Sequence, residues 1–301
     1  MKTLRYRIGN EVKPGILDQE GNIRDVSSLV KDWDNKNVTI SKLNEVKKID
    51  HTSLPIVENS DGFAPCISKE NIGKFICIGL NYSDHAEETG QKVPPEPIIF
   101  AKATSAVIGP NDNVEIPKKS VKSDWEVELG VIIGKEAKYI SENESQSHIA
   151  GYCVINDLSE REFQIERSGQ WDKGKGCDTF GPIGPYLVTK DEIEDVQNLN
   201  LELKLNGITM QKGNTNKMIF NITKNLDNFQ FSFTNCKQCI KGHNNLLRDT
   251  IPYFGVCTLC MVYKLLVPQA VREYVESLHT NKQDFKPYTV FGSGAILNYI
   301  P

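Results

Sequence analysis

The stretch Ser123–Gly134, SDWEVELGVIIG, constrains this chain more than any other. It reads as an apolar strand, and successive strand side chains point to opposite faces. Glu126 and Glu128 therefore share one face, with Cα atoms about 6.6 Å apart, while Trp125, Val127 and Leu129 share the other. Two carboxylates about 6 Å apart at an effective dielectric near 20 repel by roughly 2–3 kcal/mol. A solvated face screens that repulsion, whereas a cleft requires something positive beside the pair. Taken alone, the stretch fits a charged strand face better than a site.

The surroundings narrow the choice. With 301 residues the chain is long enough for one large domain or two smaller ones. Its net charge of −4 offers no basic surface to nucleic acid. The start, MKTLRYRIGNEV, lacks the apolar region of a signal peptide, and the apolar run Ile251–Tyr263 is too short to span a bilayer. We expect no membrane association, a cytoplasmic location, and eight cysteines that are mostly reduced thiols.

Three units are expected: residues 1–70 as a small N-terminal domain, 71–224 as the main body, and 225–301 as an atypical tail. In the first, LRYRI reads as a strand, KPGILDQEGNIRDVSSLV as a hairpin turning at Asp18–Gly21, and SSLVKDW and ISKLNEVKKI as helical by spacing. In the second, KFICIGLNY is a strand ending at Gly79. SDHAEETG follows as a short helix with Ser83 as N-cap and Gly90 past its end. PIIFAKA, AVIGP, NVEIP, IAGYCVIND and PYLVT read as further strands, and LNLELKLNG with ITMQKG as a hairpin turning at Asn206-Gly207. The fold class is α+β, mainly β.

Three features carry candidate chemistry. Glu126, Glu128 and Asp157, the last at a strand end, are hard oxygen donors suited to Mg²⁺, Mn²⁺ or Ca²⁺ and not to zinc. Asp157 taken alone reads more readily as a turn or cap residue. His85 and Glu88, three apart on the short helix, make either a surface ion pair or a carboxylate-supported general base. Lys175, between Gly174 and Gly176, belongs either to a solvated basic loop or to a site that stabilises a developing oxyanion.

Together the pieces are far more specific. KFICIGLNYSDHAEETG, IIFAKATSAVIGPND, SDWEVELGVIIG, HIAGYCVINDLSERE, GQWDKGKGCDTFGPIGP and LNGITMQKGNTNKMIF occur in an order that resembles the fumarylacetoacetate hydrolase family over about residues 1–224. The form DKGKGCDTFGPIGP looks closest to its ureidoglycolate lyase and 2,4-diketo-3-deoxy sugar-acid hydrolase branch. The resemblance implies a mixed β-sandwich roll behind a small N-terminal domain, a homodimer, and Mg²⁺ or Mn²⁺ on Glu126, Glu128 and Asp157. It implies a water-activating dyad in His85 and Glu88, charge stabilisation by Lys175, and substrate contacts from Tyr82, Lys102, Arg161 and Gln164. The expected substrate is a small 2-oxo acid: a 2,4-diketo acid cleaved at its C3–C4 bond to give pyruvate, or alternatively ureidoglycolate releasing urea.

The resemblance stops near Asn225. A helix and a loop containing TGTP follow the MIF motif in the family, and no TGTP occurs here. Half of the cysteines fall in this last quarter, as Cys236-x₂-Cys239 and Cys257-x₂-Cys260, seventeen residues apart, a spacing that fits a zinc ribbon. The knuckles lack shaping glycines, and a frame-shifted or alternatively spliced end fits the segment better. The tail is expected to pack poorly, leaving three classes of function: an active hydrolase or lyase, an impaired metal-binding relative, or a zinc-ribbon interaction protein.

Overall fold

The computed structural model of the protein describes residues 1–228 together with the backbone of residues 254–259. Its fold is mixed, with strands predominating. In chain order, the strands are β1 (Lys2–Ile8), β2 (Glu11–Leu17), β3 (Ile23–Asp25), β4 (Ile72–Gly79), β5 (Ile98–Lys102), β6 (Val107–Ile108), β7 (Ser123–Asp124) and β8 (Val127–Ile133). They continue with β9 (Ile149–Asn156), β10 (Ser159–Glu160), β11 (Gly181–Pro182), β12 (Tyr186–Thr189), β13 (Asn200–Leu205), β14 (Ile208–Asn214) and β15 (Phe254–Leu259). The helices are α1 (Ile40–Lys47), α2 (Ser83–Glu88), α3 (Glu142–Ser145), α4 (Asp172–Lys175) and α5 (Ile222–Asn228).

Among the described residues nine strands form one sheet in the order β3-β2-β1-β12-β9-β8-β15-β4-β5. Strand β1 pairs with β12, so strands from the first seventy residues share this sheet with the main body. Strand β8 shows why alternation matters. Leu129, Val131 and Ile133 pack on one face in a cluster that includes Ile222 and Leu226 of α5. Ile132 points to the other face, among Trp33, Leu43 and Val46. Each such buried aliphatic side chain contributes about 1.5–3 kcal/mol relative to exposure.

Several expectations change. SSLVKDW is not a helix but a run of turns. The Asp32 and Asp34 carboxylates accept local backbone N–H groups, and Arg5 grips Asp32 from β1, which favours turns over a helix. Among the described residues NVEIP pairs with no strand; the Glu115 N–H donates instead to the Thr179 hydroxyl at 2.7 Å. Ser83 opens α2, but the cap position is Tyr82, which makes no side-chain capping bond. The hairpin at Asn206-Gly207 is present, with positive φ at both residues (51° and 82°), as a tight two-residue hairpin turn requires.

The largest change concerns the tail. Phe254–Leu259 lies inside the sheet, parallel to β4 and antiparallel to β8, so part of the segment expected to pack poorly supplies a central strand. Cys236, Cys239 and Cys260 lie outside the described residues, as does the Cys257 side chain. Among the described residues no helix is long and apolar enough to cross a membrane.

Candidate functional site

The site is built where β8 and β9 begin and end. The two strands pair antiparallel with Val127 opposite Asn156 and Glu128 opposite Ile155. One step beyond, the Asp157 N–H donates to the Glu126 carbonyl at 2.8 Å, which sets Asp157 directly across from Glu126. Alternation along β8 then places Glu128 on the same face. The three carboxylates are completely buried.

Three cations converge on them. The Lys175 ammonium donates to Glu126 Oε2 at 2.7 Å and to Asp157 Oδ2 at 2.8 Å. Lys102, from β5, donates to Asp157 Oδ1 at 2.6 Å and to the Leu158 carbonyl at 2.8 Å. The Arg161 guanidinium reaches Glu126 Oε1 and also binds Asp124 Oδ2, through Nε at 2.9 Å and Nη2 at 2.6 Å. Its Nη1 donates to Gln164 Oε1 at 2.8 Å. The Lys175 ammonium also sits 5.0 Å from the centroid of the Phe100 ring, which tilts against Trp171.

Local sequence explains this placement. A Cβ on Gly174 would fall 2.3 Å from the Glu160 carbonyl and 2.6 Å from the Gln164 nitrogen, so only glycine lets α4 lie this close to the following layer. That contact fixes the height of Lys175. Gln164 rides on a π-helical turn over Glu162–Glu166, a feature often found at functional sites.

Burial drives the electrostatics. It raises the Glu126 carboxyl above the ordinary carboxylate range, partly opposed by Arg161 and Lys175. It raises Glu128 further, with the charges of Glu126 and Asp157 adding to the effect. Burial also opposes the charge on Arg161, but Glu126 and Asp124 outweigh it and hold the guanidinium protonated.

His85 is 1% exposed, and burial, helped by the charge of Arg161, lowers its pKa to about 4. The ring is therefore neutral near pH 7. Its Nδ1 lies 3.9 Å from Glu88 Oε2, and the Glu88 side chain is exposed. Tyr82 is buried with Val127, Leu201 and Leu203, on the side of the strand away from the two glutamates.

Of the residues singled out in the sequence, the structure thus joins Glu126, Asp157, Lys175, Lys102, Arg161 and Gln164 in one bonded network, with Glu128 on the same face. It sets Tyr82 apart. Asp124 was not singled out, although it stands two residues before Glu126 in the same alternating stretch. Neither was Asn81, whose side chain and carbonyl fasten Ile219 and Phe220 behind α2.

The donor set consists of three buried hard oxygen ligands on one face, the chemistry that suits Mg²⁺ or Mn²⁺. Among the described residues, however, no group of three such side chains is gathered closely enough to hold an ion as it stands. The expected convergence of Glu126, Glu128 and Asp157 on one point is replaced by an ammonium between two of them. The donors fit the group chemically, and Lys175 stands where they would meet.

Comparison with known proteins agrees with this architecture. Residues 74–234 match the model of the fumarylacetoacetate (FAA) hydrolase C-terminal domain. A Burkholderia lata protein named "Putative hydrolase" is 52% identical over 224 residues, 74% of this chain and 79% of that protein. The fumarylacetoacetate hydrolase of Exiguobacterium antarcticum superposes with a TM-score of 0.64 at 27% identity, covering 75% of this chain and 80% of the other. A 5-carboxymethyl-2-hydroxymuconate delta-isomerase from Mycobacterium smegmatis, 23% identical with a TM-score of 0.60, covers 87% of this chain and 88% of its own and shares the fold. On the matched residues and on the relative identical at half of its aligned positions, the chain belongs to the fumarylacetoacetate hydrolase family.

Proposed function

We propose that the protein is a divalent-metal-dependent hydrolase that cleaves the C3–C4 bond of a 2,4-diketo acid and releases pyruvate. Enzymes of the family generally use a divalent metal. The observation that carries the reading is the buried network of Glu126 and Asp157 with Lys175, Lys102 and Arg161, with Glu128 on the same face. In this reading Glu126, Glu128 and Asp157 hold Mg²⁺ or Mn²⁺. When bound, the ion supplies Lewis acidity to the carboxylate and keto oxygens of a 2-oxo acid.

The chain's own residues do the rest. His85, neutral at pH 7, accepts a proton from water as the oxygen adds to the C4 carbonyl. Glu88 orients the ring; its 3.9 Å separation closes on substrate binding, as catalytic contacts often do. As the C3–C4 bond breaks, its electron pair passes to the pyruvate half, and the Lys175 ammonium holds the negative charge. The imidazolium of His85 then returns a proton to C3. Arg161, Lys102 and Gln164 bind and orient the substrate carboxylates.

The test is an assay of the purified chain on acylpyruvates and on ureidoglycolate, with Mn²⁺ present and after chelation. Pyruvate release that chelation abolishes is expected. Turnover of ureidoglycolate alone would place the protein with the lyases, and no turnover of either would overturn the assignment.

A further inference from the structure

We propose that Lys175 is the resident counter-cation of the carboxylate cluster and the group a divalent ion must displace in order to bind, so that metal loading itself releases the ammonium. The proposal rests on the reading that Glu126, Glu128 and Asp157 hold the metal.

The three cations at the site are not equivalent. Lys102 touches one oxygen of Asp157 and is anchored by the Leu158 carbonyl. Arg161 touches one oxygen of Glu126 and is anchored by Asp124 and Gln164. Lys175 is the one that contacts both carboxylates, through the remaining oxygen of each. These oxygens, Glu126 Oε2 and Asp157 Oδ2, are the ones left for a ligand once Lys102 and Arg161 have taken the others.

A divalent ion needs its oxygens at about 2.0–2.6 Å. An ion drawing on Glu126 Oε2 and Asp157 Oδ2 from the side of Lys175 would occupy the space of the ammonium. From the opposite side it would face the like charge of the ammonium among side chains that are fully buried, where a low local dielectric strengthens the repulsion. Either way the ammonium has to leave. It sits at the end of the four-residue helix α4, with glycines on both sides.

The consequence is an order of events. Before metal arrives, the carboxylates are neutralised from within and the ammonium is committed to them. After metal arrives, the ammonium is free to meet an anionic substrate, and the pocket has gained positive charge that favours one. Metal therefore binds first and substrate second.

The experiment is a Mn²⁺ titration of the full chain, with free Mn²⁺ followed by its paramagnetic resonance signal, for the wild type, Lys175→Met and Lys102→Met. Both substitutions remove one positive charge that contacts Asp157, but only the first clears the space between the carboxylates. Lys175→Met is expected to bind Mn²⁺ at least tenfold more tightly than wild type, and Lys102→Met to gain several-fold less. Equal gains would show a field effect without displacement and overturn the proposal; so would an unchanged or weaker Lys175→Met.

Thermal melting with and without Mn²⁺ gives a second readout. Mn²⁺ should raise the midpoint of Lys175→Met, or of Lys175→Gln, by more than that of wild type, because the ion replaces the lost counter-charge. If neither variant folds even with Mn²⁺, the ion cannot replace the ammonium and the proposal fails. Absence of Mn²⁺ binding in all the proteins would instead remove the metal reading on which the proposal stands.

Discussion

His85 ties the proposed chemistry to a property measurable without substrate. Its pKa falls from an ordinary 6.5 to about 4 because the folded protein buries the ring beside Arg161. The unfolded chain then takes up a proton that the folded chain refuses. This contribution is intact above pH 6.5 and is lost as pH falls toward 4, by at most about 3 kcal/mol. The raised carboxyls of Glu126 and Glu128 act in the opposite sense, so the comparison has to be made against a variant. His85→Asn should lose less stability than wild type between pH 6.5 and 4, read from urea midpoints at each pH; parallel curves would show that the ring titrates normally. In turnover, His85→Ala should cost about 10²–10⁴-fold while leaving Mn²⁺ affinity nearly unchanged. Glu126→Gln is expected to do the reverse first, weakening Mn²⁺ by on the order of tenfold or more through loss of a charged hard ligand, as titration will show. The local patterns, carboxylates at alternate strand positions and a His–Glu pair at helical spacing, were legible in the sequence, while the roles proposed for them come from the family resemblance. The embrace of Glu126 and Asp157 by Lys175 was not legible, since it joins residues 49 and 18 positions apart in the chain.

Among the elements, α4 is the one on which the site depends most closely. Its four residues lie against the Glu160 carbonyl and the Gln164 backbone because Gly174 has no side chain. Gly174→Ala must push α4 away from rigid backbone, at about 1–3 kcal/mol, and carry Lys175 off its two carboxylates. A lower melting midpoint together with altered Mn²⁺ affinity is expected, whereas a drop in stability with unchanged affinity would mean that Lys175 does not depend on the glycine. The sequence shows such elements unevenly. Strand β8 and the β13–β14 hairpin announce themselves through alternation and an Asn-Gly turn. SSLVKDW misleads because its apolar spacing suits a helix while its aspartates supply the turn chemistry that wins. The two-residue strands β10 and β11 leave no periodic trace, yet the pairing of β10 with β7 holds Asp124 beside Arg161.

At the scale of the whole molecule, the nine-stranded sheet joins its two parts through β15, which bonds to β4 on one side and to β8 on the other. A chain cut after residue 228 would leave both neighbours with open backbone edges. Such a truncation is expected to be insoluble or to elute as an aggregate in light-scattering chromatography; a soluble, cooperatively melting fragment would show that the inserted strand is dispensable. The family-like character of residues 1–224 was readable from motifs, but the seat of β15 was not, because a six-residue apolar segment carries no record of which edges it will join. That seat has a consequence for how the protein is made. Strands β4 and β8 leave the ribosome more than a hundred residues before the strand that separates them. At roughly 5–20 residues per second, synthesis holds those two edges apart or exposed for several seconds. The nascent chain therefore needs either a chaperone's cover over that interval or a collapse that keeps a slot open for β15 to enter.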